Sequence, residues 1–352
     1  MRSTVSSELP DDVYRSSSVR HVPFDGTLSV EDGVGHEGDV CVFRIERGGT
    51  PIDAIELEDG EQMPLRPGKS VVGCLGTRPA VKELHGGVPE GGISSEETGL
   101  SLLIESGLIG EVWSAIPSFA PTRVSIVGFL MADGEAVNVT DHPRLTPTSG
   151  PEPGNVPTAL FCGTSMESGK TSAVEAGVDA LSASLEVGAG KLTGTVMRRD
   201  LLRFEAAGAA ATSDFSDVGV SCTTEREESI RCAETVLGHL RGKETDVVLA
   251  ELGGGILTYG PRHVLESSLM EDIDVLVFSA ADECGAVGGV DLLQERYGLE
   301  PDMIVGPVCD TELSRRLVTD EVGVETFSVA ESRGRSTFET ALERLLEVPG
   351  SA

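Results

Sequence analysis

The sequence predicts an α/β protein. A C-terminal domain is built on a parallel sheet with helices on both faces, and a smaller β-rich domain precedes it. Three observations carry this prediction. After a stretch rich in Pro, Gly, Ser and Thr at 146–157 (TPTSGPEPGNVP), strand-like runs alternate with helix-like runs. Those strand-like runs are apolar without alternation, the pattern of a sheet covered on both faces. Before the stretch, short strand-like runs are separated by polar turns.

In chain order, residues 1–16 are expected to form a mobile tail. Residues 17–145 form the β-rich domain, a barrel or sandwich. Its strands fall at DVCVFRIE (39–46), PIDAIELE (51–58), SVVGCLG (70–76), IGEVWSA (109–115) and RVSIVGFLM (123–131). A helix is predicted over 95–106, because Ser94 and Glu97 have the spacing of a capping box. Residues 146–157 are the linker and 158–348 the second domain. There, strands are predicted at TALFCG (158–163), GKLTGT (190–195), TDVVLAEL (245–252) and DVLVFSA (274–280), with weaker ones at PDMIVGPV (301–308) and GVETFSV (323–329). Helices are predicted at 170–186, 198–209, 223–242, 311–318 and 332–347.

Composition narrows the function classes. Acidic residues number 58 against 27 basic ones, a net charge of −31 spread along the whole chain. Such a charge excludes a broad basic face for nucleic acid. It resembles the surfaces of proteins from salt-accumulating halophiles, where a Debye length of about 3 Å at molar salt screens self-repulsion. No run approaches the roughly 18 apolar residues of a membrane span, and the N-terminus lacks the apolar core of a secretory signal. A cytoplasmic protein is expected. The seven cysteines include no CxxC pair and are expected to be reduced and mostly buried, and the six histidines show no metal-ligand spacing.

Only five residues are lysine, at 69, 82, 170, 191 and 243, so each is conspicuous. Lys170 lies in GTSMESGKTSA (163–173), between an apolar strand and a helix. That is the setting of a phosphate-binding loop, in which amides at a helix N-terminus and the helix dipole face an anion. Gly163 and Gly169 allow close approach of the backbone. Thr164, Ser165, Glu167, Ser168 and Ser172 complete the loop. Lys170 would reach the terminal phosphates, and the Thr171 hydroxyl would ligate Mg²⁺.

The spacing G-x5-G-K-T resembles the loop GTDTxVGKT of dethiobiotin synthetase and its relatives, in the P-loop class that also holds MinD-like and cobyrinate-amidating proteins. The likeness covers about 157–330. It implies a second lysine facing an acceptor at the end of the next strand, which falls on Lys191, with Thr193 beside it. It implies an aspartate on Mg²⁺, either Asp214 or Asp217 of SDFSDVG, and an acid closing a later strand, Glu251 of VVLAELGGG. Within that class the sequence most resembles a branch defined only as a domain of unknown function, with its G-T-x-x-x-x-G-K, D-F-x-x-G and E-x-x-G segments. Departures are Ser165 in place of the aspartate of dethiobiotin synthetase, Leu192 in place of a proline, and an N-terminal domain with no counterpart. In this class the segment GPVCDTELSRR (306–316) commonly contacts the base, which makes Gly306, Pro307 and Asp310 candidates. The guanine signature Asn-Lys-x-Asp is absent, so the expected cofactors are ATP, ahead of GTP, and Mg²⁺.

The resemblance implies ATP-dependent activation of a small carboxylate or amine by phosphoryl transfer, with Lys170, Lys191 and Thr193 as the catalytic set. Two alternatives stand beside it. One is a nucleotide-dependent switch or cofactor-assembly NTPase acting through a partner or as a homodimer. The other is a group transferase using the loop to hold a phosphorylated cofactor such as coenzyme A. The expected partner of the enzyme reading is a small acid or amine, with neither nucleic acid nor membrane.

Overall fold

A computed structural model of the chain describes residues 13–25, 27–146, 156–330 and 332–348. Most of the expected linker and tail, residues 147–155 and 1–12, lie outside the described residues. The chain divides into two compact units. The first comprises Met1–Arg144 with Thr195–Arg199 and Ser216–Cys222; the second comprises Leu145–Gly194, Asp200–Phe215 and Thr223–Ala352.

The first unit is β-rich, as expected. Strands Ser70–Leu75, Val40–Arg47, Arg123–Ala132, Ser101–Ile104 and Leu108–Ala115 pair in that order. Leu108 and Ile109 then pair in parallel with Cys74 and Leu75, closing a barrel. Closure leaves these strands without a free edge. Phe43, Ile45, Val71, Val72, Leu102, Leu103 and Leu108 are buried within this unit.

Two expectations change here. The helix predicted over 95–106 is absent. All four residues of Ser101–Ile104 are buried in a strand, and burying both faces overrides local helix propensity. Ser94 does not cap a helix; it lies in the short strand Ile93–Ser94, and its hydroxyl accepts from the Glu96 amide. Tyr14 and Arg15, assigned to the tail, pair in parallel with Val71 and Val72.

The second unit holds six parallel strands: β1 (Thr158–Gly163), β2 (Val187–Thr193), β3 (Ala211–Asp214), β4 (Val247–Leu252), β5 (Val275–Ser279) and β6 (Met303–Val305). Their order across the sheet is β3-β2-β4-β1-β5-β6. Helices α1 (Lys170–Leu181), α2 (Arg198–Ala206), α3 (Arg226–Arg241), α4 (Tyr259–Leu265), α5 (Glu283–Leu292), α6 (Glu312–Val322) and α7 (Ser332–Leu346) connect and follow the strands. Every residue of β1 and β4 is buried, which explains their unbroken apolar sequence. Alternate side chains serve opposite faces. Ala159, Phe161, Val247 and Leu249 join Val174, Val178, Phe204, Phe338 and Leu342 in one core cluster. The segment 323–329 forms no strand; Thr326 makes only an isolated pairing with Ile304.

Candidate functional site

The carboxyl end of β1 runs directly into the phosphate-loop sequence, and α1 begins at Lys170. Gly169 takes a φ of 98°, in the left-handed region that glycine enters without cost, and so turns the loop into the helix. Gly163 is required for space. A Cβ there would lie 2.5 Å from Ser168 Oγ and 2.6 Å from the Ser279 carbonyl. The loop is tied down on the β5 side. The Thr164 amide donates to the Ser279 carbonyl at 2.9 Å, and the Ser279 hydroxyl donates to the Ser168 carbonyl. Ser165 donates to the Met166 carbonyl, and Glu167 accepts a φ of 61°, unusual for a residue with a side chain.

Lys170 is buried. Its ammonium donates to the Ser165 carbonyl at 2.8 Å and lies 3.5 Å from Ser168 Oγ. Burial lowers its pKa, and the like charge of Lys191 adds to this; Glu251 opposes both. An anion seated in the loop would restore the charge that burial disfavours. The same burial pushes the Cys162 thiol, one residue before the loop, up to about 12.

Thr171 Oγ1 donates to Glu251 Oε2 at 2.9 Å. Glu251 is buried on β4, the strand beside β1, so loop hydroxyl and strand carboxylate converge from different elements. These are hard oxygen donors, and Mg²⁺ takes one or two such carboxylates alongside phosphate oxygens and water. The pair therefore fits that ion. Among the described residues, no group of three or more His, Cys, Asp or Glu is placed to hold a metal without such help.

Lys191 occupies the same level of the sheet, in register with Glu251 on one side and Asp214 on the other. Its ammonium donates to Asp200, in the first turn of α2. Burial works against its charge, but Asp200 and Glu251 outweigh burial and raise its pKa. Asp200 and Ser279 were not singled out from sequence. An acid in the first turn of a helix reads as a helix-dipole partner, and a serine ending a strand carries no signal at all.

The expected metal ligand Asp217 is held by basic groups of its own unit. It belongs to the first unit, fully buried, where Oδ1 lies 2.9 Å from His21 Nε2, 3.6 Å from Arg20 and 3.5 Å from Arg144. The 3₁₀ turn Phe215–Val218 separates it from Asp214, which remains at the end of β3. Thr193 is buried at the end of β2, and its hydroxyl donates to the Gly253 carbonyl at 3.2 Å, joining the strand to the glycine turn. Gly306 and Pro307 lie against the loop. A Cβ on Gly169 would lie 3.0 Å from Gly306 Cα and 3.1 Å from Pro307 Cδ. Ser172 lines the same cavity as Gly306 and Pro307.

No family model and no curated protein matches the chain. Among solved structures it is similar to the hydrogenase maturation factor HypB from Archaeoglobus fulgidus, at 17% identity over 55% of this chain and 91% of that one, with a TM-score of 0.40. It is also similar to HypB from Helicobacter pylori in complex with nickel, at 14% identity over 55% and 88%, TM-score 0.39. A third is the signal recognition particle 54 kDa protein from Aeropyrum pernix in complex with GDP, at 16% identity over 58% and 51%, TM-score 0.38. Likenesses this remote carry no inference about activity; the site rests on its own geometry. Among the described residues, no helix is long and apolar enough to cross a membrane.

Proposed function

We propose that the second unit binds a nucleoside triphosphate with Mg²⁺, hydrolyses it, and uses the change of nucleotide state to act on a partner protein or a second copy of the chain. The observation that carries this reading is the approach of Thr171 to Glu251 directly behind a loop whose lysine is buried. Loop amides and Lys170 would hold the phosphates, and Thr171 and Glu251 would hold the ion. Bound Mg²⁺ would supply charge neutralisation on the terminal phosphates. Glu251 would also orient a water at the end of β4.

Activation of a small acid or amine is the second reading. It relied on Lys191 as a cation awaiting an acceptor. Asp200 pairs with that cation, and the Thr193 hydroxyl donates its proton to the Gly253 carbonyl, which weighs against this reading. What still favours the acceptor reading is the position of Lys191 at the carboxyl end of β2, where ligands of open α/β sheets bind.

Calorimetry in about 2–3 M KCl, a range of strong screening, tests the proposal with wild type and Lys170→Ala. Mg²⁺-dependent triphosphate binding should weaken roughly 10- to 100-fold in the variant, the worth of a lost charge-assisted hydrogen bond. Light scattering with a non-hydrolysable triphosphate then separates the readings. Nucleotide-dependent association supports the switch. Hydrolysis accelerated by small acids or amines, without change in association, supports acceptor chemistry. Binding indifferent to Lys170 sinks both.

A further inference from the structure

The phosphate loop opens sideways into a cavity of ≈ 590 Å³. Gly169 and Ser172 form its near end, and Glu175 and Asp179 continue it along α1. Pro307 and Asp310 face them. A nucleotide with its phosphates on the loop would place its sugar and base here, because the cavity begins at Gly169, the loop residue that caps α1.

Three acidic residues line this space beside Arg335, and they are not equivalent. Glu175 accepts from Arg203 Nε at 3.1 Å. Asp179 accepts from Arg335 Nη1 at 3.3 Å. Asp310 is exposed, and among the described residues its carboxylate makes no hydrogen bond or ion pair. Its backbone is nonetheless fixed. The Asp310 amide donates to the Pro307 carbonyl at 3.1 Å, and Thr311 caps α6 by accepting from the Ser314 amide. Asp310, held on a rigid turn and with acceptor capacity to spare in its carboxylate, lines a cavity large enough for a base.

We infer that this cavity takes guanine and that Asp310 selects it; the inference rests on the phosphate-site reading above. An ionised carboxylate only accepts hydrogen bonds. Guanine presents N1–H and the N2 amino group side by side, two donors matched to its two oxygens. Hypoxanthine keeps N1–H alone. Adenine offers one amino group and sets the lone pair of N1 against the carboxylate. Xanthine places a carbonyl where guanine has the amino group. The missing Asn-Lys-x-Asp signature, which pointed to ATP, excludes one arrangement of a guanine-reading acid and not a carboxylate supplied by the turn after β6.

The test is a titration of the full chain with GTP, ITP, ATP, XTP and coenzyme A, in Mg²⁺ and about 2.5 M KCl. It uses wild type, Asp310→Asn and Lys170→Ala. Wild type should prefer GTP over ATP by roughly 5- to 150-fold, the discrimination of one bidentate contact, with ITP between. Asp310→Asn should lose that preference and gain XTP, because an amide donates to the xanthine carbonyl while accepting from N1–H. ATP affinity should barely move, which also reports an intact fold. Equal affinity for GTP and ATP in wild type overturns the inference, as does an unchanged ratio in Asp310→Asn. Coenzyme A binding more tightly than any triphosphate overturns it too. Loss of the phosphate site itself has a separate signature: no ligand binds, or Lys170→Ala binds as wild type.

Discussion

At the residue scale, the Lys191–Asp200 pair decides how much of the site is scaffold. Both side chains are largely buried, at 13% and 12% exposure. Removing one member of such a pair leaves a charge without its counter-ion in a poorly solvated place. Lys191→Met is expected to cost about 3–5 kcal/mol of unfolding free energy, because Asp200, Glu251 and Asp214 then lose the ammonium that all three interact with. The double variant Lys191→Met with Asp200→Leu should recover a good part of that loss. Denaturant unfolding of the two variants checks this, and equal losses would refute it. The sign with pH follows from the raised pKa of Lys191. A base whose folded pKa lies above its unfolded value stabilises fully below the unfolded value, about 10.4, and the contribution fades as pH climbs through the folded one. Wild type should therefore lose this increment only in strong alkali, and the double variant should lack that limb. Asp200 was invisible to sequence reading because its role depends on a pairing between β2 and the start of α2. Lys170, Thr171 and Glu251 were legible because each sits at a fixed offset from a glycine or a strand end.

At the element scale, the parallel sheet was legible because β1, β4 and β5 are buried on both faces and therefore read as unbroken apolar runs. Helix α5 was not. Its sequence, ECGAVGGVDL, holds three glycines and no polar face, so the 3.6-residue period is lost. The strand Ser101–Ile104 failed for the opposite reason: a local capping pattern pointed one way and barrel pairing the other. Tertiary pairing also explains the network around Glu266, which ends α4. It accepts from Arg262 at 2.8 Å and from Arg226, at the start of α3, also at 2.8 Å; Arg296 lies at 3.5 Å. The hydrogen bonds from Arg262 and then Arg226 hold its carboxyl down to about 2. A depressed carboxylate stabilises above its ordinary value of 4.5, and the contribution disappears as pH falls through about 2. Glu266→Gln should thus lower stability near neutrality by about 1 kcal/mol or less, given partial exposure, and should flatten the acid limb between these values. Thermal unfolding against pH at low and molar salt measures it. A limb identical to that of wild type at low salt would show that the arginines are held by something other than this charge.

At the scale of the whole molecule, the interior and the surface follow different rules. The interior is ordinary: Phe43, Phe161, Phe204, Phe278 and Phe338 are wholly buried, and β1 and β4 pack as apolar strands should. The surface carries most of the net charge of −31. Charges of one sign repel in the folded state and relax on unfolding, so the compact state is destabilised wherever they are unscreened. Between about 0.1 M and 1 M salt the Debye length contracts from about 10 Å to about 3 Å, shorter than most spacings between exposed carboxylates. Folding should therefore tighten steeply over this range and level off beyond it. The midpoint of thermal unfolding is expected to rise by roughly 10 °C or more, since about 1 kcal/mol moves a domain of this size by about 2–4 °C. The ion pair of Lys191 is shielded by burial and should contribute little to the slope, so the double variant and wild type should run parallel. An uncharged osmolyte such as sucrose stabilises by exclusion rather than by screening, and should give a shallow response without a plateau. A salt curve that is flat, or one that sucrose reproduces, would mean that surface repulsion is not what limits the fold. The nucleotide titrations would then belong at ordinary ionic strength.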